Sequence, residues 1–189
     1  FRKVNRGMLL TLAVLAVLIV YLSVVALRQS VQKEEIRNIC TEALELMSEE
    51  IILPENARLS SENYSEEAYN SRVKEVQTHM EKYQAESTTL PACIATAFRM
   101  QADLGTYFTS YENTNALDFK CLFAGDMVTV TFTTLLTYDL AGNELQKTEE
   151  PHRERVPQRF ILKRENGTWK IVVFDVALPA SVTEYPEYY

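Results

Sequence analysis

Glycine and proline are both absent from Met8 to Leu53, so nothing in the covalent chain breaks or kinks a helix over that stretch. Charge is missing as well from Met8 to Leu27, where the polar side chains are Thr11, Ser23 and the phenol of Tyr21. Such a run is longer than the apolar part of a conventional cleaved signal, about 7–15 residues, although Val24-Val25-Ala26 would pass as a small-residue cleavage site. It matches instead the roughly 20 residues that a helix needs to cross about 30 Å of hydrocarbon. Residues 8–27 therefore read as a retained span in contact with the lipid bilayer. Arg2, Lys3 and Arg6 precede it, whereas Arg28 and Lys33 are soon offset by Glu34 and Glu35. The positive-inside rule places the N-terminus in the cytoplasm and the C-terminal part outside, as a single-pass protein of the plasma membrane.

Histidine, cysteine and basic clusters are scarce too, and each scarcity excludes something. The two histidines are isolated: His79 lies between Thr78 and Met80, and His152 sits among charges in EEPHRER. Both read as solvated imidazoles, because a general base needs a positioned partner in a cleft. Cys40, Cys93 and Cys121 have neither a second Cys nor a His at ligand spacing, which gives no metal signature. One disulfide among the three is allowed outside the cytoplasm, but small buried thiols explain their apolar settings. No Gly-rich phosphate loop or nucleophile elbow occurs, so no cofactor is implied. The part beyond the span holds fifteen Lys and Arg against 26 Asp and Glu, a net charge of −11. With no basic block interleaved with aromatics, nucleic acid is disfavoured as a partner. Roughly 160 residues suffice for one packed core.

What is present after the span has a clear order. Ile36, Ile39, Cys40, Ala43, Leu44, Met47 and Ile51 recur in steps of three and four, marking one helix face. With nothing to stop the membrane helix, one rod is expected to run to about Glu50, ended by Pro54. Asn63 followed by Glu66 reads as a capping box for a second helix. Tyr69, Val73, Val76, Met80 and Tyr83 form a narrow seam on it, either packed on the domain or docked on another chain. Leu90 to Leu104 reads as a third helix between Pro91 and Gly105, although Thr106 to Tyr111 has strand composition. From Leu117 the period changes to two: Val128, Val130, Phe132 and Tyr138 alternate with Thr129, Thr131, Thr133 and Thr137. Runs Val156–Arg164 and Thr168–Leu178 follow, with turns at Ala124-Gly125-Asp126, Ala141-Gly142-Asn143 and Asn166-Gly167. Asn63-Tyr64-Ser65 and Asn166-Gly167-Thr168 fit the glycosylation pattern, but a cap and a turn explain them.

Helices first and an antiparallel four-stranded meander afterwards predict an α+β fold, with the helices on one face of a curved sheet. The expected divisions are 1–28 for the stub and membrane helix, 29–62 for a membrane-proximal helix and loop, 63–180 for the α+β domain, and 181–189 for a tail. In the last strand, strict alternation puts Asp175 on the face of Trp169, Ile171, Val173 and Ala177. A carboxylate there needs pairing, with Arg159 or Lys163 on the preceding strand, or it serves as the best candidate general base. The opposite face, Val172, Phe174 and Val176, is apolar and must line a cavity or meet another protein. The tail, EYPEYY, offers tyrosines and acids within reach of a partner.

The meander ending in NGTWKIVVFDVAL, with Asn166-Gly167 followed by Trp169, Ile171 and Val173, resembles the nuclear-transport-factor-2-like (cystatin-like) α+β cone. With the N-terminal span, the layout is similar to the single-pass assembly factors of type IV secretion and conjugation, and more loosely to anchored accessory proteins of bacterial ABC exporters. The resemblance implies a non-enzymatic assembly or accessory subunit. Its partners would be membrane transporter or secretion-complex subunits, and self-association is compatible with it. Partner contacts would fall on Val172, Phe174 and Val176, or on Tyr69, Val73, Val76 and Met80. The alternative it implies is a small-ligand or isomerase/dehydratase-like cone that uses Asp175.

Overall fold

The computed structural model describes residues 6–85, 90–103, 105–142 and 150–179. Arg2 and Lys3, Asn143, Leu104 and the 181–189 tail lie outside them. Helix α1 runs unbroken from Arg6 to Glu50, as the absence of Gly and Pro predicts, and stays helical through the polar stretch 28–35. It is long and apolar enough to cross a membrane: its most apolar window has a mean hydropathy of 2.8 and is wholly unburied. The chain divides into two compact units, Phe1–Asn38 and Ile39–Tyr189. Residues 39–62, expected to belong to a separate membrane-proximal segment, thus lie in the second unit.

The second unit is α+β. Pro54 stops α1, and a 3-10 turn, Glu55–Ala57, leads towards α2, Glu66–Met80. The cap of α2 is Ser65 rather than Asn63: the Ser65 hydroxyl accepts from Ala68 N–H at 3.3 Å. Asn63 N–H bonds the Ser61 hydroxyl at 3.2 Å, a local turn that removes Asn63 from the helix start. Glu66 then opens the helix, where a carboxylate favours the dipole. Helix α3, Ala92–Asp103, lies against the sheet. The Pro91 carbonyl accepts its Ala95 N–H at 3.0 Å.

Four strands follow in the order β1-β2-β3-β4, all antiparallel: β1 Tyr107–Ala124, β2 Met127–Ala141, β3 His152–Glu165 and β4 Thr168–Val176. Strand β1 begins well before Leu117, at the segment with strand composition. It carries one extra residue at each of three places, between Phe108 and Ser110, Thr114 and Leu117, and Leu117 and Lys120. Asn115 and Asp118 take left-handed conformations there, φ 54° each. Such bulges bend a strand and raise its twist. Strand β2 keeps strict alternation from Val128 to Leu140, and every even-numbered residue is buried. The β3–β4 turn has Asn166 at φ 51° and Gly167 at φ 88°, the left-handed pair that a two-residue hairpin needs. The free edge of β4 is covered: Ile171 bonds Tyr83 O and Ala85 N at 2.8 and 2.9 Å.

The core joins the inner sheet face to the helices. Cys40, Ala43, Leu44 and Met47 of α1, Ile94 and Phe98 of α3, and Val128, Val130, Phe132, Phe160, Leu162 and Ile171 of the sheet are all buried. Phe132 stacks on Phe160 with centroids 5.4 Å apart, and Phe174 meets Phe160 edge-on at 4.7 Å. At the lower end of α1, Glu50 pairs with Arg72 at 2.6 Å and His79 at 2.7 Å. His79 thus belongs to a hydrogen-bonded cluster that ties α2 to α1. The same Arg72 holds the Glu75 carboxyl below its usual range through a hydrogen bond and its charge.

Gln101, wholly buried on α3, makes four hydrogen bonds. Its carbonyl accepts from Leu53 N–H at 3.1 Å and Phe108 N–H at 3.3 Å, and its amide donates to Ile51 O at 2.7 Å and Ala97 O at 3.2 Å. Replacement by leucine, Gln101→Leu, keeps the bulk but leaves buried backbone groups at Leu53, Phe108 and Ile51 unpaired. The expected loss is on the order of 3 kcal/mol. Trp169, the one tryptophan and itself buried, reports it as an earlier urea midpoint of the full chain in neutral micelles.

No disulfide joins the three cysteines, with Cys40 and Cys93 buried and Cys121 half-buried. Burial pushes the Cys93 thiol up to about 12 and the Cys40 thiol further up still, so neither supplies thiolate at neutral pH. A disulfide reagent at pH 8 should therefore modify Cys121 alone in the native chain and all three in urea. Fast native labelling of Cys93 would contradict this packing.

Candidate interaction face

Each face of the sheet presents a polar feature, and the two differ in kind. The inner one is a buried chain of neutral groups across four elements. Asn113 on β1 donates to the Ser48 hydroxyl of α1 at 3.2 Å, and its carbonyl accepts from Thr134 on β2 at 2.9 Å. Gln158 on β3 donates to Thr134 at 2.9 Å and to Asn113 at 3.4 Å. A cleft of about 390 Å³ opens beside it, where Glu45, Glu49 and Glu112 join Asn113, Thr134 and Tyr111. Burial raises the Tyr111 hydroxyl well above its ordinary value, so it is a protonated phenol at neutral pH. It cannot serve as a base there. Among the described residues no group of three His, Cys, Asp or Glu is placed to hold a metal.

The outer face is built by register. Leu122 on β1 lies opposite Thr129, Thr129 opposite Ile161, and Ile161 opposite Val173. Directly opposed residues share a face, so these four form one row across all four strands. Leu122 is 72% exposed and Val173 41%, with Ile161 half-buried. The next row on one side pairs Met127 with Lys163 and Lys163 with Lys170. On the other side Lys120 faces Thr131, Thr131 faces Arg159, and Arg159 faces Asp175. Beyond the latter row, Thr133, Pro157 and Ala177 continue a shallow groove of about 540 Å³. Arg155 and Arg153 extend the cationic edge of β3, opposite Leu135 and Thr137. Leu122 and Val173 thus stand exposed in an apolar row set between charged rows.

This geometry corrects the expected roles in β4. The register jumps from Leu162↔Ile171 to Ile161↔Val173, so β4 has one extra residue at Val172. Alternation reverses there. Trp169, Ile171, Phe174 and Val176 face inward, whereas Val172, Val173 and Asp175 face outward. Asp175 is therefore exposed, opposite Arg159 as the cross-strand expectation had it, and away from Lys163, which faces Lys170. The trio Val172, Phe174 and Val176 is not one surface: Val172 is 43% exposed, while Val176 is buried. On α2, Val76 and Met80 are fully buried, with Tyr69 and Val73 half-buried. That seam is packed inside its own unit rather than open to a second chain. His152, expected in a loop, begins β3 and stacks on Tyr138 at 4.9 Å.

The residues that sequence reasoning missed are Leu122, Ile161 and Lys120, while Arg159 entered only as a partner for Asp175. One signal was available: on β3 the outward positions Arg153, Arg155, Arg159 and Lys163 are basic in an acidic chain. The chain matches no protein-family model and no curated protein.

Because Asp175 is exposed, removing its charge leaves no buried partner stranded. The change Asp175→Asn should move the urea midpoint by no more than about 0.5 kcal/mol equivalent. A loss of 2 kcal/mol or more would restore the buried-carboxylate reading.

Proposed function

We propose that this is a non-enzymatic, single-pass membrane protein whose α+β unit is an extracytoplasmic docking module. It would serve as an assembly or accessory subunit of a bacterial transport or secretion complex. The observation that carries this reading is the outer sheet face, where exposed Leu122 and Val173 line up with half-buried Ile161 between charged rows. The apolar stretch of α1 supports a retained anchor, with Arg6 on its cytoplasmic side. The order of helices before a four-stranded meander supports the nuclear-transport-factor-2-like kinship. The rival small-ligand reading loses its base, since Asp175 points out of the sheet's inner face.

Site-specific photo-crosslinking in the native membrane tests the proposal. A crosslinker at position 122 should give a discrete heavier species, and the same probe at exposed Glu67 on α2 should give none. Adding Val173→Asp should abolish the adduct while leaving the amount of folded protein unchanged. No adduct at 122, or equal adducts at both positions, would count against a docking role for the sheet.

A further inference from the structure

The docking face has dimensions and charges that select its occupant, and the inference rests on the docking role proposed above. Strands lie about 4.8 Å apart, so the row Leu122–Thr129–Ile161–Val173 is about 14 Å long and runs across the strands. Residues two apart on a strand are separated by about 6.7 Å, which sets the distance from the apolar row to each flanking row. A helix is about 10 Å wide and rises 1.5 Å per residue. One laid along the row would cover it with two to three turns, its apolar stripe on Leu122, Ile161 and Val173. Its flanks would then stand over Lys163 and Lys170 on one side and over Lys120 and Arg159 on the other.

We infer that the sheet's outer face binds an amphipathic helix of another protein, apolar along one stripe and acidic along both flanks. Four cations stand in the flanking rows, Lys170 donating to the Lys82 carbonyl, against Asp175 in the row and Asp118, which lines the groove beside Lys120 and Arg159, with Glu165 further along β3 at 3.9 Å from Lys163. Arg159 is exposed, and no carboxylate stands within ion-pair distance of Arg159 or Lys120 among the described residues. These charges stand out against a chain of net −7, so their complement is an acidic surface. A second copy offers no such helix among the described residues. The apolar faces of α1 from Cys40, of α2 at Val76 and Met80, and of α3 at Ile94 and Phe98 are buried in its own core. A bilayer of anionic lipid fits less well, because Asp175 lies within a flanking row and would be repelled. A protein helix can set a basic residue against it.

Selection from a displayed library tests this without knowing the partner. The library is a 14-residue helix with a fixed apolar stripe and randomised flanks, panned on the full chain in neutral nanodiscs and counter-selected on the Leu122→Asp chain. The expected winners carry Asp or Glu on both flanks. They should bind at least tenfold more weakly to the Lys120→Ser/Arg159→Ser double variant and lose about tenfold between 50 and 300 mM salt. Leu122-dependent winners without acidic flanks would overturn the acidic partner while leaving the docking role standing. No Leu122-dependent winner at all would overturn both. Flotation of the nanodisc-held chain with phosphatidylglycerol vesicles, lost in the same double variant, would overturn the inference in favour of lipid.

Discussion

Four hydrogen bonds to one buried amide hold the second unit's elements in their places. Gln101 reads the end of α1 through Ile51 and Leu53, its own helix through Ala97, and the start of β1 through Phe108. These are backbone groups at the ends of elements, where hydrogen bonds are hardest to complete from within. A buried donor or acceptor left alone costs about 1–3 kcal/mol, so the amide fixes where α1 may stop and β1 may begin. Everything downstream inherits that setting. Strand β1 starts at a defined point, and the register of β1 on β2 places Leu122 on the outer row.

A second constraint is where the sheet departs from ideal pairing. Strand β2 is regular, and its even-numbered residues build the inner face without exception from Val128 to Leu140. Strands β1 and β4, on either side of the β2–β3 pair, carry the extra residues. Each one reverses which residues face inward, because the side-chain period in a strand is two. In β4 the reversal brings Phe174 inward against Phe160 and turns Val173 and Asp175 outward beside Ile161 and Arg159. The bulge thus decides which β4 residues join the outer face: Val173 stands beside Ile161 where Val172 would otherwise stand, and Asp175 rather than Phe174 faces Arg159.

That explains which parts were legible in the sequence. The α+β order, the long first helix and the meander could be read because they rest on spacing and on breakers: no Gly or Pro from Met8 to Leu53, strict alternation in β2, and Asn166-Gly167 at a turn. The helix cap went to Ser65 rather than Asn63, since both residues can cap and a tertiary bond decided: Ser65 N–H is held by Asn56 O at 2.8 Å. The faces of β4 were misread because VVFDV is apolar enough to satisfy either phase, so nothing local marks the bulge. Gln101 sits in a helix pattern as an ordinary polar residue, and its role depends on groups about 50 positions away. The candidate site was partly legible, through the register position of Asp175 opposite Arg159, but its apolar row needed the register of three strand pairs.

The distribution of polarity between the two sheet faces bears on what kind of work the unit does. Inside, the neutral side chains of Ser48, Asn113, Thr134 and Gln158 are bonded to one another. A network of that sort rigidifies a fold because each member is satisfied only in one arrangement. Outside, Lys120 and Arg159 have no ion-pair partner at hand among the described residues, and Leu122 stands in solvent. The inner network thus joins α1 to three strands, while Lys120, Arg159 and Leu122 stand on the opposite face of the same sheet, where the proposed docking role would use them.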